Sequence, residues 1–179
     1  MSEKTVRGFW LTALTLLFTF AAWPGFAFAT DTLLQTKELP LSLAQKAAGA
    51  ALAKCGRDGY RVSVAVVDRG GNLKVLLRGD GAGPHTPDSA FKKAYTAASL
   101  SRSTLELAQL IAKVPSLQAL RDMNEKILIL GGGLPIQAEG AVIGGIGVGG
   151  APGDRLDEAC AREGLQAIQP QPNSGKPPG

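Results

Sequence analysis

Two extended runs joined by a tight turn commit this chain to an antiparallel sheet. Arg61-Val62-Ser63-Val64-Ala65-Val66-Val67-Asp68 is rich in β-branched residues, Arg69-Gly70-Gly71-Asn72 has turn chemistry, and Leu73 to Arg78 resumes strand character. A parallel pair would need a crossover of about a dozen residues between the strands, and this turn is far too short for one.

The flanking segments carry helix signals. Ser42-Leu43-Ala44-Gln45 reads as a capping box opening an Ala-rich helix to about Lys54, stopped by Gly56 and Gly59. After the loop Gly79 to His85, Thr86 reads as an N-cap with Pro87 at the first helical position, and the helix runs to about Leu100. Ser103-Thr104-Leu105-Glu106 is a second capping box, for a helix ending before Pro115, with a short helical turn near Ser116 to Leu120 after it. Ile127 to Leu130, Pro135 to Ala138 and Ala141 to Val148 read as three more strands, the last two joined at Glu139-Gly140. Asp154 caps a final helix from Arg155 to Glu163, with Gly164 as its stop. The expected class is α+β, an antiparallel five-stranded sheet covered by helices.

The two ends stand apart from that domain. Residues 1–29 have the form of a cleavable secretory signal: Lys4 and Arg7, an apolar run from Phe9 to Ala22, and Ala27-Phe28-Ala29. The run falls short of the ~20 residues that span a bilayer, against an uncleaved anchor, and no second run reaches that length, so no membrane association is expected after cleavage before Thr30. Residues 169–179 are rich in proline, have nothing to bury, and read as a disordered tail. One domain of about residues 38–168 lies between them, in a periplasmic or secreted protein. Cys55 and Cys160 sit near its opposite ends; in an oxidising compartment they form either a disulfide or two buried thiols, and spacing alone does not choose.

Charge and motifs exclude several functions. Lys4, Arg7 and Glu3 leave with the signal, so the net charge of +4 falls to +3, and the remaining cations are scattered rather than clustered with aromatics, against nucleic-acid binding. Gly145-Ile146-Gly147-Val148-Gly149-Gly150 matches a dinucleotide fingerprint but lies in a strand after a hairpin, where glycine marks close approach to the sheet. A single histidine, His85, supports neither a zinc site nor a catalytic triad. It is either a solvated loop residue, the commoner outcome, or one axial ligand of a haem iron. Lys92 and Lys93, with Thr96 one turn on, could meet a propionate or another carboxylate, or simply form the wet face of a helix.

Three segments together resemble the GlcG/HbpS-like haem-binding family, which includes the C-terminal domain of PduO-type proteins. They are Val64 to Gly71; Gly81-Ala82-Gly83-Pro84-His85-Thr86-Pro87-Asp88-Ser89-Ala90 with Lys93 to Ala97; and Gly132 to Ile136 followed by Gly140 to Val148. The resemblance implies a profilin-like arrangement with helices on both faces of the sheet (α/β/α layers), homo-oligomers, and a haem-related role. Gly149-Gly150-Ala151 departs from a Ser-Gly-Gly-like turn, which leaves any hydroxyl-dependent role there without its residue.

Three functions are therefore weighed. The first is an exported haem-binding protein, for storage or sensing, with His85 as axial ligand and Lys92, Lys93 and Thr96 beside it. The second is a non-haem accessory module for a small organic acid or a partner enzyme, suggested by a poor aromatic content: outside the signal only Tyr60, Phe91 and Tyr95 remain. The third, a haem-degrading enzyme, ranks below binding because the sequence displays no source of reductant.

Overall fold

A computed structural model describes residues 34–169. The signal reading of 1–29 and nearly all of the tail reading of 169–179 lie outside the described residues. The elements are α1 (Leu41–Arg57), β1 (Ser63–Asp68), β2 (Leu73–Arg78), α2 (Thr86–Leu100), α3 (Thr104–Lys113), a 3₁₀ turn (Pro115–Arg121), β3 (Gly133–Ala138), β4 (Ala141–Gly149) and α4 (Asp154–Ile168). The sheet is antiparallel throughout, in the order β2-β1-β4-β3.

The sheet has four strands where five were expected. Ile127 to Leu130 has the alternating burial of a strand but pairs with none; the Ile127 amide donates to the Asn124 carbonyl, and two further backbone groups bond to side chains. The Leu128 amide donates to Thr96 Oγ1 at 2.8 Å, and Arg121 Nη1 donates to the Ile129 carbonyl at 3.3 Å. Ile127 and Ile129 bury their side chains against Leu107 and Ile111 of α3. A short continuous apolar run thus records burial, which a strand and an extended loop share.

The two turns follow backbone geometry. Between β1 and β2, Asp68 Oδ1 accepts the Asn72 amide at 2.9 Å, closing the loop. Burial pushes this carboxyl up, yet the Asn72 and Gly70 hydrogen bonds and Lys74 outweigh it and hold it below the usual carboxylate range. Between β3 and β4, Glu139 at φ +48° and Gly140 at φ +79° make the doubly left-handed turn that matches strand twist.

β1 is buried on both faces, which explains its unbroken Val64-Ala65-Val66-Val67 run. Val64 and Val66 join Ile146 and Val148 in a core covered by α1 and α4, each side chain worth about 1.5–3 kcal/mol on burial. Ala65 and Val67 face the other way and meet Ala90, Ala94 and Ala98 of α2. On that second face the cross-strand pairs are Ala65 with Gly147 and Val67 with Gly145. A Cβ at Gly147 would stand 2.1 Å from the Ala90 carbonyl oxygen, and one at Gly145 2.3 Å from that of Ala94. Helix α2 therefore lies directly on β4, and the glycine-rich run exists for that contact rather than for a pyrophosphate.

Helix limits differ from expectation for identifiable reasons. Ser42 lies inside the first turn of α1, whose N-cap is Pro40, and Thr86 is the first residue of α2, whose N-cap is His85. Ser103 does cap α3, its Oγ accepting from the Leu105 and Glu106 amides. Helix α4 runs through Gly164 to Ile168. A Cβ at Gly164 would stand 2.7 Å from the Ala47 carbonyl oxygen, so this glycine lets α4 close on α1 and does not end the helix. Across the same helix pair Cys55 and Cys160, both fully buried, form a disulfide.

Candidate functional site

The N-terminal end of α2 is held by a chain of hydroxyl groups. Thr86 Oγ1 donates to the Gly83 carbonyl at 2.8 Å, so its hydrogen is committed, and Ser63 of β1 is the donor in the buried 2.7 Å contact between the two hydroxyls. This anchors the loop that carries His85 to the middle of the sheet. His85 is exposed, with its imidazole folded over Gly83, where a Cβ would stand 2.8 Å from Cε1.

The other residues expected at the site divide between surface and interior. Lys92 pairs with Asp88 one turn earlier at 3.2 Å. Lys93 is 1% exposed; its ammonium donates to Asp157 Oδ2 at 2.7 Å and to the Val148 carbonyl at 2.9 Å. Thr96 is fully buried, donating to the Lys92 carbonyl and accepting the Leu128 amide. None of these four side chains lines the open cleft beside α2.

Lys93 belongs to a buried polar seam joining α2, α3, β3, β4 and α4. Asp157 Oδ1 also accepts the Ala151 amide at 3.0 Å, Ser103 Oγ donates to Glu158 Oε2 at 2.7 Å, and the Gly133 amide donates to Thr104 Oγ1 at 2.8 Å. Burial pushes the Asp157 carboxyl above its ordinary value, against the pull of Lys93 and of the Ala151 and Gly150 amides. The seam orients helices and presents no group to solvent.

Beside the first turns of α2, an open cleft of about 420 Å³ separates it from the β1–β2 hairpin. Leu73 and Leu76 line it from β2, Pro87, Asp88 and Phe91 from α2, and Lys126 stands on its rim. Phe91 and Tyr95 meet along α2 with ring planes tilted by 46° and centroids 6.3 Å apart, and the Lys126 ammonium lies 5.5 Å over the Tyr95 ring. The volume falls within the ~300–1,000 Å³ of small-molecule sites. A larger groove of about 520 Å³ runs between β3 and the ends of α1 and α4, with Ile136, Leu165 and Ile168 in its wall. It has no aromatic side chain, histidine or cation in its lining, so the α2 cleft is the better candidate. Among the described residues no group of three or more His, Cys, Asp or Glu could hold a metal ion.

Sequence reasoning centred on His85 and the Lys92-Lys93 pair missed the cleft, because Leu73, Leu76 and Lys126 meet Phe91 only in the folded chain. The available signal was the placement of large apolar residues in β2, where Leu73 and Leu76 remain 49% and 41% exposed.

Residues 39–166 match the family described as haem degrading protein HbpS-like. A solved double mutant of HbpS from Streptomyces reticuli is 48% identical, covering 83% of this chain and 99% of that one with a TM-score of 0.73. The complex of PduOC with haem is 27% identical, covering 74% and 96% with a TM-score of 0.68. An uncharacterised 15.0 kDa protein of the dhaT-dhaS intergenic region of Citrobacter freundii is 38% identical over 117 residues, 65% of this chain and 82% of that protein.

Proposed function

The chain belongs to the HbpS-like family, and from that premise we propose that it is an exported haem-binding protein, for storage or sensing, with the haem held beside α2 and His85 as axial ligand. The observation that carries this reading is the likeness to PduOC, solved as a haem complex. The residues present fit the group. His85 is exposed at the helix cap, and the disulfide removes both cysteines, leaving it the one imidazole or thiol donor among the described residues. The adjacent cleft offers an apolar wall with a cation at its rim. Haem supplies an iron whose four in-plane positions are filled by the porphyrin, so one protein donor suffices.

The chain's own residues have separable roles. Ser63 and Thr86 hold the loop that presents His85. Lys92, on the surface, is a second propionate partner that keeps its pairing with Asp88. Lys93 and Thr96 act through the seating of α2, without touching haem.

Titration with hemin should give a sharp Soret band that His85→Ala weakens or shifts. An unchanged spectrum in the variant would remove His85 from the site, and a wild-type spectrum no different from that of free hemin would overturn the reading. Persistence of the band under ascorbate or peroxide keeps the protein a binder; its loss with release of iron would add degradation.

A second reading, an accessory module for a small organic acid or a partner enzyme, is favoured by the aromatic count: Phe91 alone among aromatic side chains lines the cleft. Thermal-shift comparison of hemin with glycolate separates the two, since only a true ligand raises the melting temperature by mass action. Export to a periplasm or the medium is supported by the buried Cys55–Cys160 bridge, which belongs to oxidising compartments. Assembly into a homo-oligomer is part of the same reading, with exposed Leu130 and Leu156 as apolar surface to cover.

A further inference from the structure

We infer that the cleft between the hairpin and α2 takes a flat apolar ligand bearing a carboxylate, and that Lys126 is the counter-ion of that carboxylate. The inference rests on the haem reading for the ligand's identity, with a propionate as the carboxylate concerned. Its chemistry, an apolar plate with an anionic edge, is shared by small aromatic acids. The wall is suited to a plate: Leu73 and Leu76 expose large side chains on one side, and Phe91 faces them from α2. Phe91 is the aromatic side chain of the wall, and Tyr95, one turn on in α2 and outside the lining, stands behind Lys126.

The charges at the rim decide the sign of the ligand. Asp88 is paired with Lys92, so its negative charge is offset within α2. Lys93 is likewise taken by Asp157 in the interior. Lys126 is exposed and forms no ion pair among the described residues. The Tyr95 ring face attracts its ammonium and holds it at the rim, where the apolar wall strengthens its field relative to open water. A cation so placed favours a ligand whose charged end meets the rim while its apolar body covers the leucines.

The test compares hemin with its dimethyl ester, which keeps the plate and the iron but lacks the carboxylates. Soret titration of the full protein should show a preference of about fivefold for the free acid, the scale of one exposed charge pair. Lys126→Gln should abolish the preference and Lys126→Arg should retain it, whereas Leu76→Ser should weaken acid and ester alike. Full preference retained in Lys126→Gln overturns the inference while leaving the haem reading intact. If the protein leaves the hemin Soret band unchanged but 2-naphthoate raises the melting temperature in a Lys126-dependent way, the inference stands and the haem reading falls. If neither ligand binds, both fall.

Discussion

Gly147 and Gly49 show how differently one residue type is used. At Gly147 a methyl group would meet the Ala90 carbonyl at 2.1 Å, whereas at Gly49, exposed on α1, nothing lies within 4 Å. Gly147→Ala should lose about 3 kcal/mol, because backbone on both sides must move. Gly49→Ala should instead gain up to about 1 kcal/mol, by restricting the unfolded chain and improving helix propensity. Urea unfolding of the two variants checks both signs. His85 and Lys126 belong to this scale as well: their proposed roles depend on single side chains left free at the surface.

At the scale of elements, the Lys93–Asp157 pair determines how α2 meets α4 and the end of β4. Removing one partner leaves a buried charge uncompensated, so Asp157→Asn or Lys93→Met should each cost about 3–5 kcal/mol. The double variant Lys93→Met/Asp157→Leu should recover most of that loss, since an apolar pair of similar volume needs no desolvation. The pair also has a pH signature. The Asp157 carboxyl is raised above 3.8 in the folded chain, so its contribution to stability is fully present below that value and is lost as pH rises through the folded value. Unfolding free energy of the wild type, measured against the double variant, should therefore fall as pH rises across that window. The glycine-paved face of β1 and β4 sets the other half of the α2 position, by letting helix backbone rest on strand backbone.

Over the whole molecule, the Cys55–Cys160 bridge closes a sequence separation of 105 residues and ties the first helix to the last. In the chain-entropy model a loop of this size contributes about 4–5 kcal/mol. Cys55→Ser/Cys160→Ser should lower the guanidinium midpoint accordingly. Because both sulfurs are fully buried, dithiothreitol should leave the native protein bridged and act only under conditions that unfold it. The bridge joins two helices on the face of the sheet opposite α2, so the proposed ligand cleft and the cross-link occupy separate faces.

Much of this fold was legible in residue order. The hairpin with its Arg69-Gly70-Gly71-Asn72 turn, the Ser103 cap and the Glu139-Gly140 turn follow from local sterics and hydrogen bonding, which few neighbours can override. The fifth strand and the stop at Gly164 misled for one reason: a short apolar run and a glycine each have a local meaning and a packing meaning. Only the fold showed that Ile127 to Leu130 bonds to side chains and that Gly164 faces Ala47. At the site, residue chemistry singled out His85, but the separation of Lys92 from Lys93, neighbours in sequence, was tertiary. A helix turns about 100° per residue, so one of them meets solvent while the other meets Asp157. What the sequence by itself determined was the sheet's antiparallel sense and the residue types available for binding. Which charges remained free, and where an apolar wall stayed uncovered, depended on contacts between segments far apart in the chain, and only the tertiary structure decided them.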